Sequence, residues 1–96
     1  MGETVRVRAR VVFRGSVQGV GFRYTVVHVA SGHAVTGYVE NEPEGSVTLV
    51  AEGEQGEVEA FVNAVTERMR RHIRGREVEW APATGEFGDF RIRFAW

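Results

Sequence analysis

The chain has no cysteine, no lysine, only two prolines and no long uncharged apolar run. Each absence removes a class of function. Without cysteine there is neither a disulfide framework nor a thiolate metal site. No stretch is apolar for long enough to cross a bilayer as a helix. The opening residues, MGETVRVRAR, place arginines where a secretory signal needs an apolar centre. A formal net charge of −1 supplies no general attraction to nucleic acid or anionic lipid. The expectation is a cytoplasmic protein without nucleic-acid or membrane partners. Its 96 residues suit a single domain over 1–96, and 43% hydrophobic residues are enough for a globular core.

What is present reads as alternating strands and helices. Val5, Val7, Ala9, Val11 and Phe13 alternate with Arg6, Arg8 and Arg10, the period of a half-buried strand with its arginines on the open side. A glycine-rich stretch follows. Phe22, Val26, Val29 and Ala30 then mark one face of a helix over residues 22–31, with Gly32 expected to stop it. Valine and threonine are weak helix formers, so this helix should depend on packing. Val35 to Asn41 and Val47 to Glu52 read as a hairpin around the turn ENEPEGS, with Gly53 ending it. Val58, Phe61, Val62, Val65 and Met69 form the stripe of a second helix, expected to close at Gly75. Glu57 and Glu59 near its start and Arg68, Arg70 and Arg71 near its end match the helix dipole. Val78 and Trp80 mark a fourth strand, and Phe90, Ile92 and Phe94 a last one. The order predicts an α+β fold: a βαββαβ two-layer sandwich, an antiparallel sheet of about five strands with two helices on one face.

Several chemistries fail on residue pattern. No Gly-Lys-Ser/Thr follows the glycine stretch, so it is not a Walker A loop. Counting from Gly19 and Gly21, the third glycine of a dinucleotide fingerprint is replaced by Tyr24. His28, His33 and His72 lack the neighbours of a metal site. Glu40, Glu42 and Glu44 are spaced as the solubilising tip of a hairpin. An RNA-recognition domain shares the element order but stacks bases on aromatics of its central strands. The candidate third strand here, SVTLVAEG, has no aromatic residue. The cluster from Arg68 to Arg76 reads as a solvated helix terminus.

The stretch GSVQGVGFR, Gly15 to Arg23, remains. A strand, a glycine-rich loop and a helix beginning near Phe22 place free backbone N–H groups at one helix N-terminus, where they can bind phosphate. Arg23 adds a bidentate, permanently charged fork. A tight turn followed by a surface arginine is the other reading, and this stretch alone does not separate them.

GSVQGVGFR resembles the signature loop of the acylphosphatases, whose core is V-Q-G-V-x-F-R. Their second signature is matched by Gly37-Tyr38-Val39-Glu40-Asn41, followed by Gly45, Val47 and Gly53. With the closing Phe90-Arg91-Ile92-Arg93-Phe94, the similarity runs from about Val7 to Phe94. The resemblance implies a ferredoxin-like sandwich and hydrolysis of acylphosphates to a carboxylate and inorganic phosphate, without metal or cofactor. It implies that Arg23 binds the phosphoryl group and that the loop amides of Gly15, Ser16, Val17, Gln18, Gly19, Val20 and Gly21 cradle its oxygens. It also implies that Asn41 orients the attacking water. Two positions depart from the family pattern. Phe13 stands where a branched aliphatic is usual. Glu40 stands where a basic or neutral residue is common, and strand alternation points it away from Asn41. A non-catalytic phosphate- or acylphosphate-binding regulatory module of the same fold is the alternative. A similar domain opens a much larger hydrogenase-maturation protein, but no zinc-finger cysteines follow here. A monomer is expected, although Trp96 is a candidate for packing across a contact.

Overall fold

The computed structural model describes residues 5–94; Trp96, the candidate contact residue, lies outside them. The elements follow the expected order: β1 (Arg6–Gly15), α1 (Phe22–Ala30), β2 (Thr36–Asn41), β3 (Val47–Glu54), α2 (Gln55–Arg68), β4 (Ile73–Pro82) and β5 (Phe90–Ile92). The sheet order is β4-β1-β3-β2-β5. β1 and β2 both run antiparallel to β3, which inserts between them. β4 pairs antiparallel with the other side of β1. The expected all-antiparallel sheet requires one correction: β5 runs parallel to β2, with Val39 opposite Ile92. A tight hairpin forces antiparallel pairing, whereas a strand delivered by a crossover can be parallel. β5 arrives in that way, from β4 at the opposite edge of the sheet.

Strand alternation separates two faces. Ala9, Val11 and Phe13 of β1, Val39 of β2, and Val47, Leu49 and Ala51 of β3 form one core with the buried stripes of α1 and α2. Phe13 and Phe22 meet at 5.2 Å between ring centroids, and Phe61 meets Phe90 at 5.3 Å. Burying each such ring contributes about 1.5–3 kcal/mol, which offsets the weak intrinsic propensity of α1. Phe13, which departs from the family pattern, packs on the first residue of α1.

Local signals misplaced several boundaries. α1 ends at Ala30 with right-handed Ser31 as its cap, not at a left-handed Gly32. α2 ends at Arg68, and Gly75 belongs to β4 opposite Arg14. β4 begins well before Val78. As an edge strand with mostly exposed side chains it needs no apolar alternation. β3 passes through Gly53 to Glu54. Phe94 lies beyond β5 and is 70% exposed, so it is not a core residue.

The face away from the helices is crossed by residues 83–89, which join β4 to β5. Their anchor is Glu52, a β3 carboxylate only 1% exposed. It accepts hydrogen bonds from the Thr84 N–H at 2.9 Å, the Thr84 hydroxyl at 2.8 Å and the Gly85 N–H at 2.9 Å. Arg8 Nε lies 3.9 Å away. Burial pushes this carboxyl upward, but the two backbone N–H groups, the Thr84 hydroxyl and Arg8 outweigh it and hold it below the ordinary glutamate value. The strap continues with Phe87 packed edge-on against Tyr38 and the Asp89 carbonyl accepting the Gly37 N–H at 2.9 Å. β5 is thereby delivered beside β2.

Candidate active site

β1 ends at Gly15, at a φ of 131°, where a Cβ would run into the backbone of His72 and Arg74. The next residue, Ser16, donates its N–H to the His72 carbonyl at 2.9 Å. The chain therefore leaves the sheet at a pinned point. Val17 is fully buried and holds the middle of the loop to the core. Gly19 and Gly21 adopt left-handed φ values of 78° and 75° and lead into α1, with Gly21 as its N-cap. Glycine enters this conformation without steric penalty.

Gly21 has no side chain with which to cap the helix. The first helical hydrogen bond runs from the Thr25 N–H to the Gly21 carbonyl at 3.0 Å. From Val17 through Tyr24, no backbone N–H donates to a carbonyl of another described residue. The first turn of α1 also carries no acidic residue, unlike that of α2. A run of unpaired donors at a positive helix end is the arrangement that accepts an anion. Of the expected cradle, Gly15 is held in the β1–β4 ladder and the Ser16 N–H is already donated. Val17 is fully buried, so the unpaired donors open to a ligand begin at Gln18. The Gln18 side chain points elsewhere: its Nε2 donates to the carbonyls of Glu42 and Ser46 at 2.8 and 2.9 Å.

Arg23 stands half-buried in the first turn of α1. Its Cζ lies 5.3 Å from the centroid of the Phe94 ring, and it makes no ion pair among the described residues. Asn41 is the last residue of β2, opposite Val47 and sharing the helix face with Val39. Its Oδ1 is buried without a hydrogen-bond partner. A buried acceptor left in that state costs about 1–3 kcal/mol.

The connections between these residues are specific. Gln18 ties the loop to the turn that follows Asn41. The Arg93 N–H donates to the Val39 carbonyl at 2.9 Å, continuing β5 along β2. Phe94 thus reaches the end of β2 and sets its ring against Arg23. Loop, arginine and asparagine share one end of the sheet. Glu40 lies on the opposite face, as alternation predicted, 8% exposed and opposite Thr48. Its Oε2 is 3.8 Å from Arg93 Nε, and Arg93 covers the Tyr38 ring at 4.1 Å. Its charge is matched there rather than presented to Asn41.

Periodicity missed Glu52, Arg93 and the contact of Phe94 with Arg23. The only sequence signal was a glutamate in an otherwise apolar strand segment, VTLVAEG. His28 is exposed, and His33 Nδ1 lies 2.9 Å from Glu57 Oε1. Among the described residues no three His, Asp or Glu side chains converge on a metal position, and no helix is long and apolar enough to cross a membrane.

Comparison with known proteins meets this geometry from outside. The family model described as acylphosphatase matches residues 9–92. The acylphosphatase of Paenarthrobacter aurescens is 42% identical over 91 residues, covering 94% of this chain and 95% of that protein. The crystal structure of acylphosphatase from Bacillus subtilis superposes with a TM-score of 0.81 at 29% identity, covering 91% of this chain and 98% of that one. HypF of T. kodakarensis also matches, with a TM-score of 0.75 at 29% identity over 88% of this chain but only 11% of its own. With the family model spanning both the loop and the asparagine-bearing strand, the chain belongs to the acylphosphatase family.

Proposed function

We propose that the chain hydrolyses the carboxyl–phosphate anhydride of acylphosphates through the loop, Arg23 and Asn41, yielding a carboxylate and inorganic phosphate. The observation that carries the site assignment is the run of accessible, unpaired N–H groups from Gln18 onward, beside an arginine without an acidic partner among the described residues. In this reading the phosphoryl oxygens accept hydrogen bonds from the amides of residues 18–21 and from the Arg23 guanidinium. Asn41 Oδ1 accepts a hydrogen bond from the attacking water and aims its oxygen at phosphorus. The P–O bond to the acyl group breaks, its electron pair leaves with the carboxylate, and the water's oxygen and protons stay with the phosphate. A carboxylate leaves as a stable anion, so the step requires positioning and charge stabilisation rather than a general acid. A neutral amide holds the water without repelling the anionic substrate. The reading is of a single-domain cytoplasmic monomer that needs no metal or cofactor; the fixed charge that Arg23 would supply to the phosphoryl group supports the last point.

The test is hydrolysis of a generic acylphosphate in chelator-treated buffer, wild type beside Asn41→Ala. The expected loss in kcat is on the order of 10²-fold, with inhibition by inorganic phosphate changed by no more than about twofold. Phosphate binding without wild-type turnover would instead favour a non-catalytic module. Equal losses in turnover and phosphate binding would remove the water-positioning role.

A further inference from the structure

Gln18 stands in the loop but is turned away from its unpaired N–H groups. Its Nε2 is 2.8 Å from the Glu42 carbonyl and 2.9 Å from the Ser46 carbonyl. Both partners are acceptors, so the amide must present its NH₂ to them, and both of its hydrogens are engaged. These are the carbonyls that already close the β2–β3 turn. The Glu42 N–H donates to Ser46 O at 2.9 Å and the Gly45 N–H to Glu42 O at 3.1 Å. Gln18 uses their second lone pairs. Asn41 immediately precedes this turn, and its Oδ1 is buried and unpartnered. Among the described residues no backbone hydrogen bond joins residues 16–24 to 41–46. The Gln18 side chain supplies the direct hydrogen-bonded link between them.

We propose that Gln18 is a positioning residue that couples the two halves of the site, fixing Asn41 relative to the phosphate-holding loop. The inference rests on the acylphosphatase reading above. Only the Gln18 backbone belongs to the cradle; its side chain acts through Asn41. A water held by Asn41 attacks productively only when its oxygen lies within reach of phosphorus and in line with the leaving carboxylate. A displacement of about 1 Å is enough to cost on the order of 10²-fold in rate. Two hydrogen bonds from one planar amide set both the distance and the orientation of the hairpin end.

Gln18→Met keeps the length of the side chain and removes both donors; Gln18→Ala removes the side chain as well. Each is made alone and with Asn41→Ala, and kcat on an acylphosphate is measured with phosphate inhibition and the unfolding midpoint. Gln18→Met should lower kcat by about 10- to 100-fold and leave phosphate inhibition within about twofold of wild type. In the Asn41→Ala background, adding Gln18→Met should lower kcat little further, because the residue through which it acts is gone. A Gln18→Met loss of the same factor in both backgrounds overturns the proposal. So does wild-type turnover in Gln18→Met, or a loss of phosphate inhibition that parallels the loss of kcat. If wild type itself shows no turnover, the acylphosphatase reading falls and takes this coupling role with it. Gln18→Ala guards against a packing effect of the methionine: agreement between the two variants supports the hydrogen bonds, and a defect confined to the methionine rejects them.

Discussion

Arg23→Ala should lower kcat/KM for an acylphosphate by on the order of 10³-fold or more, while its unfolding midpoint stays close to that of wild type. The size follows from what the side chain does in the proposed site. It supplies the fixed positive charge that faces the phosphoryl group, beside backbone donors that carry only partial charge. Arg23→Lys keeps a charge but replaces a planar bidentate fork with a single ammonium, so it should still lose on the order of 10²-fold. The small stability change follows from its surroundings. Arg23 makes no ion pair among the described residues, and its contact with the Phe94 ring is at an exposed site, where such an interaction is worth about 0.5–1 kcal/mol. Steady-state kinetics and thermal unfolding of the same preparations test both statements. Activity within about tenfold of wild type in both variants would remove Arg23 from the mechanism.

The second large effect concerns stability. Glu52→Ala should destabilise the protein by about 3–5 kcal/mol, read from urea unfolding at neutral pH. The loss is large because the strap donates three hydrogen bonds to this buried carboxylate and those donors would be left unpaired, while Arg8 would keep Glu86 at 3.7 Å. Glu52→Gln keeps an acceptor but turns an NH₂ toward donors, so about 1–3 kcal/mol is expected. The pH dependence has a definite sign. The folded-state pKa of Glu52 is lowered, so its contribution is fully present above the unfolded glutamate value of about 4.3. It is lost as pH falls from there through the lower folded value. Wild type should thus lose stability more steeply than Glu52→Gln across this acid range. Parallel acid-unfolding curves for the two proteins would contradict that assignment.

The core was legible where a face is buried. The alternation of β1 and the stripe of α2 each report one apolar face. The structure places Val7, Ala9, Val11, Phe13 and the α2 stripe in or against one core, while Val5 is 63% exposed and lies outside it. β4 was read only from Val78 because an exposed edge strand is under no pressure to alternate. The parallel pairing of β5 was invisible for a different reason. It depends on where residues 83–89 travel, and that path is decided by Glu52, far from them in sequence. The glycine loop and Asn41 stood out through their resemblance to paired signatures. The contact between Arg23 and Phe94 did not, because no spacing rule relates a helix start to a chain end.

By itself, then, the sequence determined the element order, the apolar faces and the presence of a glycine loop ending on an arginine. These are properties of short windows, where period and conformational preference act directly. Only the tertiary structure decided which loop donors remain unpaired, where the Gln18 amide points, and which face receives the charge of Glu40. Each of those depends on hydrogen bonds or ion pairs between residues distant in the chain: Ser16 with His72, Gln18 with the hairpin turn, Glu40 with Arg93. Such partners meet only after the sheet has assembled, and no local pattern specifies them.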